Sequence, residues 1–352
     1  MAKSGENFII NPDELSPDAF AYYRPNHYGA AVRERLRESA AEHGIARVLA
    51  TAEDPTGQIA VERFVKVSAG IAELAMPDFD EDALLLAAQQ YFALFAWDGP
   101  ADKEAGYWVE ESSLLDEDGQ PATGRRFPEF YEIFDIAEDI FAYPERYAEF
   151  ANPYATLLSN LTLKLRHKMS GEQFERWKTA YLGYLGGVEL ELYFRDRGKV
   201  PSLEEFGYMR EETSAVGVVA TLLEVQLGTE LSDEEWMSKQ VRLALNLINS
   251  RVTKDNEIMS FDIEKAEGRA ELSLFTIMMD QLGCSMEDAY NQVMELREEH
   301  KDALEKLENQ LQRPDANTRI LRLVRGLRLW AHGYLRFVKE HPHYKPDLEE
   351  PT

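Results

Sequence analysis

Apolar residues at i, i+3 and i+4 recur almost without interruption from Tyr28 to Tyr334, broken only by short stretches of Pro, Gly, Asp and Ser. That period suits an α-helix, where such positions share one face, and not a strand, whose faces alternate residue by residue. Val and Ile alternate nowhere for long, and no unit of solenoid length repeats. Helix starts are legible as well. Ser170–Gln173, Ser202–Glu205 and Ser232–Glu235 have the capping-box spacing, in which a serine oxygen accepts from an orphan N–H and the residue three on reaches back. Asp80 stands as an N-cap before Glu81-Asp82-Ala83-Leu84. The expected fold class is all-α.

The 352 residues suffice for a well-buried core. Segment 99–126 is rich in Gly, Pro and acid and reads as loop with short turns. Similar helical patterns on both sides favour a long surface excursion from a single domain over a boundary between two. Residues 1–25 read as an N-terminal extension, 26–344 as the domain and 345–352 as a tail. With 38 Lys+Arg against 64 Asp+Glu, the formal charge is −26. No cationic surplus is left for phosphate backbones, so no nucleic-acid partner is expected. The lone Cys284, just before an expected N-cap at Ser285, argues against a disulfide framework or a cysteine zinc site and reads as structural. The first residues lack the apolar core of a signal peptide, and no apolar run is long enough to cross a bilayer. The expectation is a cytoplasmic protein with no stable membrane anchor. If an acidic chain takes an anionic ligand, positive charge must be imported, and a metal is the obvious source.

Two clusters of oxygen-bearing side chains could hold one. The aromatic-rich segment 91–97 ends at Asp98, and Asp102 follows four residues later. On a continuing helix the two carboxylates share a face and could grip a hard cation, with Phe95 and then Tyr91 behind them. Read alone the pattern is weak, and the plain alternative is a pair of loop acids in an acid-rich chain. The second cluster is Asn256, Ser260 and Glu264, at intervals of four. A helix would align an amide oxygen, a hydroxyl and a carboxylate in one stripe, an all-oxygen set suited to Mg²⁺. The intervening Ile258, Met259, Phe261 and Ile263 are apolar, so this helix should be largely buried. The plain alternative is a solvated polar stripe. Asn246 and Ser250 have the same spacing upstream, but their third position is Lys254, a poor ligand.

Together these features resemble the bacterial-type class I terpene synthases. Asp98-Gly-Pro-Ala-Asp102 is similar to that family's aspartate-rich DDxxD-like motif, and Asn256, Ser260 and Glu264 to its NDxxSxxxE triad. Residues Pro201 to Gly217, with Arg210 and Thr213, resemble its PSxxEYLxxRxxTxG segment. Arg210 lies 46 residues before Asn256, the separation typical of these enzymes, and only 36 before Asn246. The stretch from Trp330 through Gly333, Tyr334, Phe337 and His343 to Tyr344 resembles the C-terminal WxxGNxxWxxxxxRY segment. The chain departs from the pattern at Gly99 for the second aspartate and Glu257 for the Asp after the triad's Asn. Ile263 stands for the Lys before its Glu, with Lys265 following, and His343 for the Arg of the RY pair.

The resemblance implies a helical bundle around a central aromatic-lined cavity, and a Mg²⁺-dependent terpene cyclase. Its substrate would be a linear prenyl diphosphate, farnesyl or geranylgeranyl. Loss of diphosphate would give an allylic cation that cyclises to a hydrocarbon or alcohol. Three Mg²⁺ ions would be held by Asp98, Asp102, Asn256, Ser260 and Glu264. Arg210, Ser214 and Tyr344 would be catalytic: Arg210 senses diphosphate, Ser214 at the kink over 213–217 couples sensing to ionisation, and Tyr344 donates its hydroxyl. Tyr91, Phe95, Trp330, Tyr334 and Phe337 would line the cavity, each with ordinary core packing as its plain alternative. His343 would be a weaker diphosphate donor when protonated, or a packing residue. A monomer or homodimer is expected. Two other readings stand beside this one. A prenyl-chain elongation enzyme would carry a second DDxxD, which is missing here; Gly99, Ile263 and His343 motivate a non-catalytic helical scaffold.

Overall fold

The chain winds through helices in close succession. In the computed structural model, residues 24–51, 54–101, 128–266, 268 and 270–340 are described, and none of these lies in a strand. The order is α1 (Gly29–Glu42), α2 (Ile45–Leu49), α3 (Gln58–Ala75), α4 (Glu81–Ala101), α5 (Pro128–Ala142), α6 (Pro153–Lys168) and α7 (Gly171–Asp196). It continues with α8 (Leu203–Thr213), α9 (Val216–Gln226), α10 (Asp233–Trp236), α11 (Lys239–Ala266), α12 (Leu274–Leu282), α13 (Met286–Leu311) and α14 (Thr318–Glu340). The all-α fold is therefore as expected. The proposed extension over 1–25 and the tail over 345–352 lie wholly or almost wholly outside the described residues.

The local signals form the elements they imply. All three serine capping boxes are made in both directions, at Ser170, Ser202 and Ser232. Ser285 makes a fourth with Asp288, opening α13 just after Cys284. Asp80 accepts from the Ala83 N–H at 2.8 Å as α4 begins. One boundary differs from the sequence reading: the loop expected from Gly99 starts later, because α4 runs through Gly99 and Pro100 to Ala101. Proline removes one backbone hydrogen bond and crowds the carbonyl four residues back, and Pro100 accordingly stands in the last turn of α4 rather than in its middle. The rest of that segment, 102–126, falls outside the described residues.

One contiguous apolar core joins residues from α1 to α14. Missing side chains let two pairs of helices approach closely. A Cβ at Gly187 of α7 would meet the Glu212 Cβ of α8 at 2.8 Å. A Cβ at Gly333 of α14 would clash with the backbone of Leu74 and Ala75 in α3. Between α8 and α9 the chain breaks at Ser214 and Ala215, and Ala215 sits at φ +54°. Left-handed backbone at a residue with a Cβ costs about 1–2 kcal/mol; the bend expected over 213–217 is thus built from a strained alanine rather than a glycine.

Candidate active site

Asn256, Ser260 and Glu264 occupy successive turns of α11 and are each half-buried, while Ile258, Met259 and Phe261 beside them are in the core. Arg210, near the end of α8, reaches this stripe. Its Nη2 donates to Asn256 Oδ1 at 2.7 Å, Nη1 donates to Thr213 Oγ at 3.3 Å, and Nε lies 3.0 Å from Glu257 Oε1. The second Glu257 oxygen accepts from the Leu274 N–H at 2.8 Å, at the start of α12. Asn256 is held from its other end too, since Nδ2 donates to the Tyr334 hydroxyl of α14 at 3.1 Å.

Charge explains the grouping. Burial alone would lower the Arg210 pKa, but Glu257, then Glu191, Glu264 and Tyr334, outweigh it and the net direction is upward. Burial likewise pushes the Glu257 carboxyl up, against the pull of Arg210 and the Leu274 N–H. The 3.0 Å contact and the backbone donor on the second oxygen favour the ion pair.

The donor set fits a hard cation. Amide, hydroxyl and carboxylate oxygens lie along one face, and Ser260 Oγ is buried without a hydrogen-bond partner. Among the described residues no group of three or more His, Cys, Asp and Glu side chains could hold a metal. The side chains of Asp98, Asp102, His343 and Tyr344 lie outside the described residues, although the Asp98 backbone is in the last turn of α4. The upstream imitation of the triad is occupied otherwise: Lys254 Nζ donates to Ser250 Oγ at 2.5 Å, and Asn246 is exposed.

The aromatic residues divide. Tyr91 of α4 and Trp330 of α14 are buried and joined, the indole N–H donating to the Tyr91 hydroxyl at 2.7 Å. Burial pushes the Tyr91 phenol far up, so it stays neutral. The Trp330 ring stacks on that of Tyr334, with centroids 6.1 Å apart. Phe95 is half-buried. Phe337 lies over Gly70 of α3, where an added Cβ would come within 2.7 Å of its ring. Ser214 is used locally, donating to the Glu211 carbonyl at 2.9 Å and accepting from the Val216 N–H at 3.2 Å. Sequence reasoning gave no role to Thr213 or to the Glu257–Leu274 bond. The Arg210–Thr213 interval of three on a helix was the available signal for the first.

The described residues thus form a helical bundle that presents an arginine to an Asn/Ser/Glu oxygen stripe, and comparison with known proteins gives its family. The family model described as "Terpene synthase family 2, C-terminal metal binding" matches residues 114–303. That is more than half of the chain, which belongs to this family. Over 202 residues the chain is 25% identical to 4-epi-cubebol synthase ((2E,6E)-farnesyl diphosphate cyclizing) of Streptosporangium roseum, covering 57% of this chain and 60% of that protein. It is 24% identical over 201 residues to bonnadiene synthase of Allokutzneria albata, covering 57% and 55%. The chain thus spans little more than half the length of these curated relatives. The fold is that of a linalool/nerolidol synthase from Streptomyces clavuligerus, solved in complex with 2-fluorogeranyl diphosphate. The TM-score is 0.73 at 17% identity, over 90% of this chain and 100% of that one. No helix among the described residues is long and apolar enough to cross a membrane.

Proposed function

We propose that this chain is a class I terpene cyclase that ionises a linear prenyl diphosphate, farnesyl or geranylgeranyl, and closes the resulting cation into a terpene hydrocarbon or alcohol. One observation carries the reading: Arg210 Nη2 stands 2.7 Å from Asn256 Oδ1, so an always-charged fork and a stripe of oxygen ligands share one site. A diphosphate needs both. Three Mg²⁺ ions held by Asp98, Asp102, Asn256, Ser260 and Glu264 would supply the positive charge that a chain of −26 lacks, and Lewis-acid assistance to the leaving group.

The protein's own groups do the remainder. Arg210 binds the diphosphate and stabilises its growing charge in a site largely screened from water. Tyr344 and His343 are further donors to it, and Ser214 at the strained bend transmits its arrival. Tyr91, Phe95, Trp330, Tyr334 and Phe337 exclude water and offer ring faces, whose quadrupole stabilises a carbocation. The substrate of the similar 4-epi-cubebol synthase, (2E,6E)-farnesyl diphosphate, supports a farnesyl chain among the candidates. The domain proposed for this work is 26–344, in a cytoplasmic monomer or homodimer.

The test is incubation of the full chain with geranyl, farnesyl and geranylgeranyl diphosphates and Mg²⁺, with products resolved by gas chromatography and mass spectrometry. A cyclic terpene from at least one is expected. No terpene from any, at high enzyme and metal, would overturn the proposal in favour of a scaffold, and a lengthened prenyl diphosphate would point to an elongation enzyme.

A further inference from the structure

We infer that Tyr334 is a positioning residue for Asn256, holding the amide in place so that its oxygen stays available as ligand. The inference rests on the reading of Asn256 as a metal ligand. An asparagine amide has a donor end and an acceptor end of nearly equal shape, and only the oxygen can bind a cation. Here Oδ1 faces Arg210 and Nδ2 donates to the Tyr334 hydroxyl at 3.1 Å. The guanidinium has no acceptor and so selects the oxygen, while the hydroxyl, able to donate or accept, then accepts from the nitrogen end and holds it. The guanidinium's hold is temporary in the proposed cycle, because Arg210 must turn its donors to diphosphate. From that point the Tyr334 contact is the side-chain hydrogen bond that still tethers the amide beside the ligand stripe.

The phenol is well placed for such a task. Its ring stacks on Trp330 at an interplanar angle of 26°, and Trp330 is anchored by the 2.7 Å bond to Tyr91. Gly333, the neighbouring residue, lets α14 sit directly on the α3 backbone. Hydroxyl, indole and phenol thus form one chain from α4 across α14 to α11, linking the helix that carries Asp98 to the helix that carries Asn256. The family pattern quoted above has asparagine where this chain has Tyr334, so the contact is a property of this sequence. An aromatic that only lined a cavity would need no hydroxyl.

Tyr334→Phe keeps the ring and removes the hydroxyl. In the full chain, Mn²⁺ affinity measured by calorimetry with inorganic pyrophosphate present should fall about tenfold, as expected when the group orienting a metal ligand is lost. The thermal midpoint without metal should stay near that of the parent. Unchanged Mn²⁺ affinity in the folded variant overturns the inference. A second measurement needs no Tyr334 variant. The Asn256 side-chain amide protons, identified in nitrogen-15 spectra by their loss in Asn256→Asp, should exchange slowly with solvent. Exchange at the rate of an exposed amide overturns the inference as well. Failure of the parent chain itself to bind Mn²⁺ with pyrophosphate would instead remove the active-site reading beneath it.

Discussion

Two neighbouring stripes of α11 carry polar groups and use them in opposite ways. On one, Arg251 and Asp255 are almost wholly buried, and Asp255 is closed off by Arg297 of α13, whose Nε donates to it at 2.5 Å. On the other, Asn256, Ser260 and Glu264 are half-buried, met by one cation that can leave and by a hydroxyl. Both stripes place groups at i and i+4. The difference lies in closure. On the first stripe a buried carboxylate is balanced by two guanidinium groups inside the core, whereas the second presents amide, hydroxyl and carboxylate oxygens at half-buried positions.

The contrast is broken most directly by removing one member of each stripe. Asn256→Ala should lower turnover by roughly a hundredfold to a thousandfold, the scale of losing one electrostatic contact in a transition state, with little change in thermal midpoint. Arg210→Ala should lose turnover too, but it strands buried Glu257, which makes Asn256→Ala the cleaner variant. Asn246→Ala should be neutral. If it alone abolished product formation, the triad would have to move upstream. Asp255→Ala should do the reverse of Asn256→Ala: about 3–5 kcal/mol of stability lost in urea unfolding, because two buried guanidinium groups lose a carboxylate they share, while the folded fraction keeps its turnover. Intact stability with lost turnover would place Asp255 in the site after all. A smaller effect separates scaffold from chemistry on α8. Ser202→Ala removes the cap of the helix that delivers Arg210 and should cost about 1 kcal/mol without changing the metal dependence of turnover.

What could be read beforehand, and what could not, follows the same division. Helix starts at Ser170, Ser202 and Ser232 are decided within four residues, and so is the Asn256/Ser260/Glu264 stripe; both are legible because a helix converts spacing into a shared face. Arg210 was singled out by a separation of 46 residues that only the family resemblance made meaningful. The partners that tell the two stripes apart come from far along the chain. Arg297 is 42 residues from Asp255, Tyr334 is 78 from Asn256, and Trp330 is 239 from Tyr91. Those meetings depend on how α11, α13, α14 and α4 cross, which no local pattern specifies. Pro100 misled for the opposite reason: it is a strong local stop signal, and the helix around it overrode it.

A third stripe of the same helix sharpens the comparison with the smallest expected effect. Lys254 donates to Ser250 Oγ at 2.5 Å, and His300 of α13 lies within its field. Burial first, and then the Lys254 charge, push the His300 pKa below its ordinary 6.5, with Glu299 pulling the other way. Burial also lowers Lys254, against Asp255. For a base depressed in the folded state, the unfolded chain binds the extra proton first, so stability rises with pH between the folded value and about 6.5 and falls on acidification through that window. His300→Gln removes this contribution. The thermal midpoint of the parent should therefore drop more between pH 7 and pH 5 than that of the variant, with the two nearly alike above pH 7. Equal slopes would mean that His300 titrates as a solvated side chain, and that this stripe is surface rather than a second closed one.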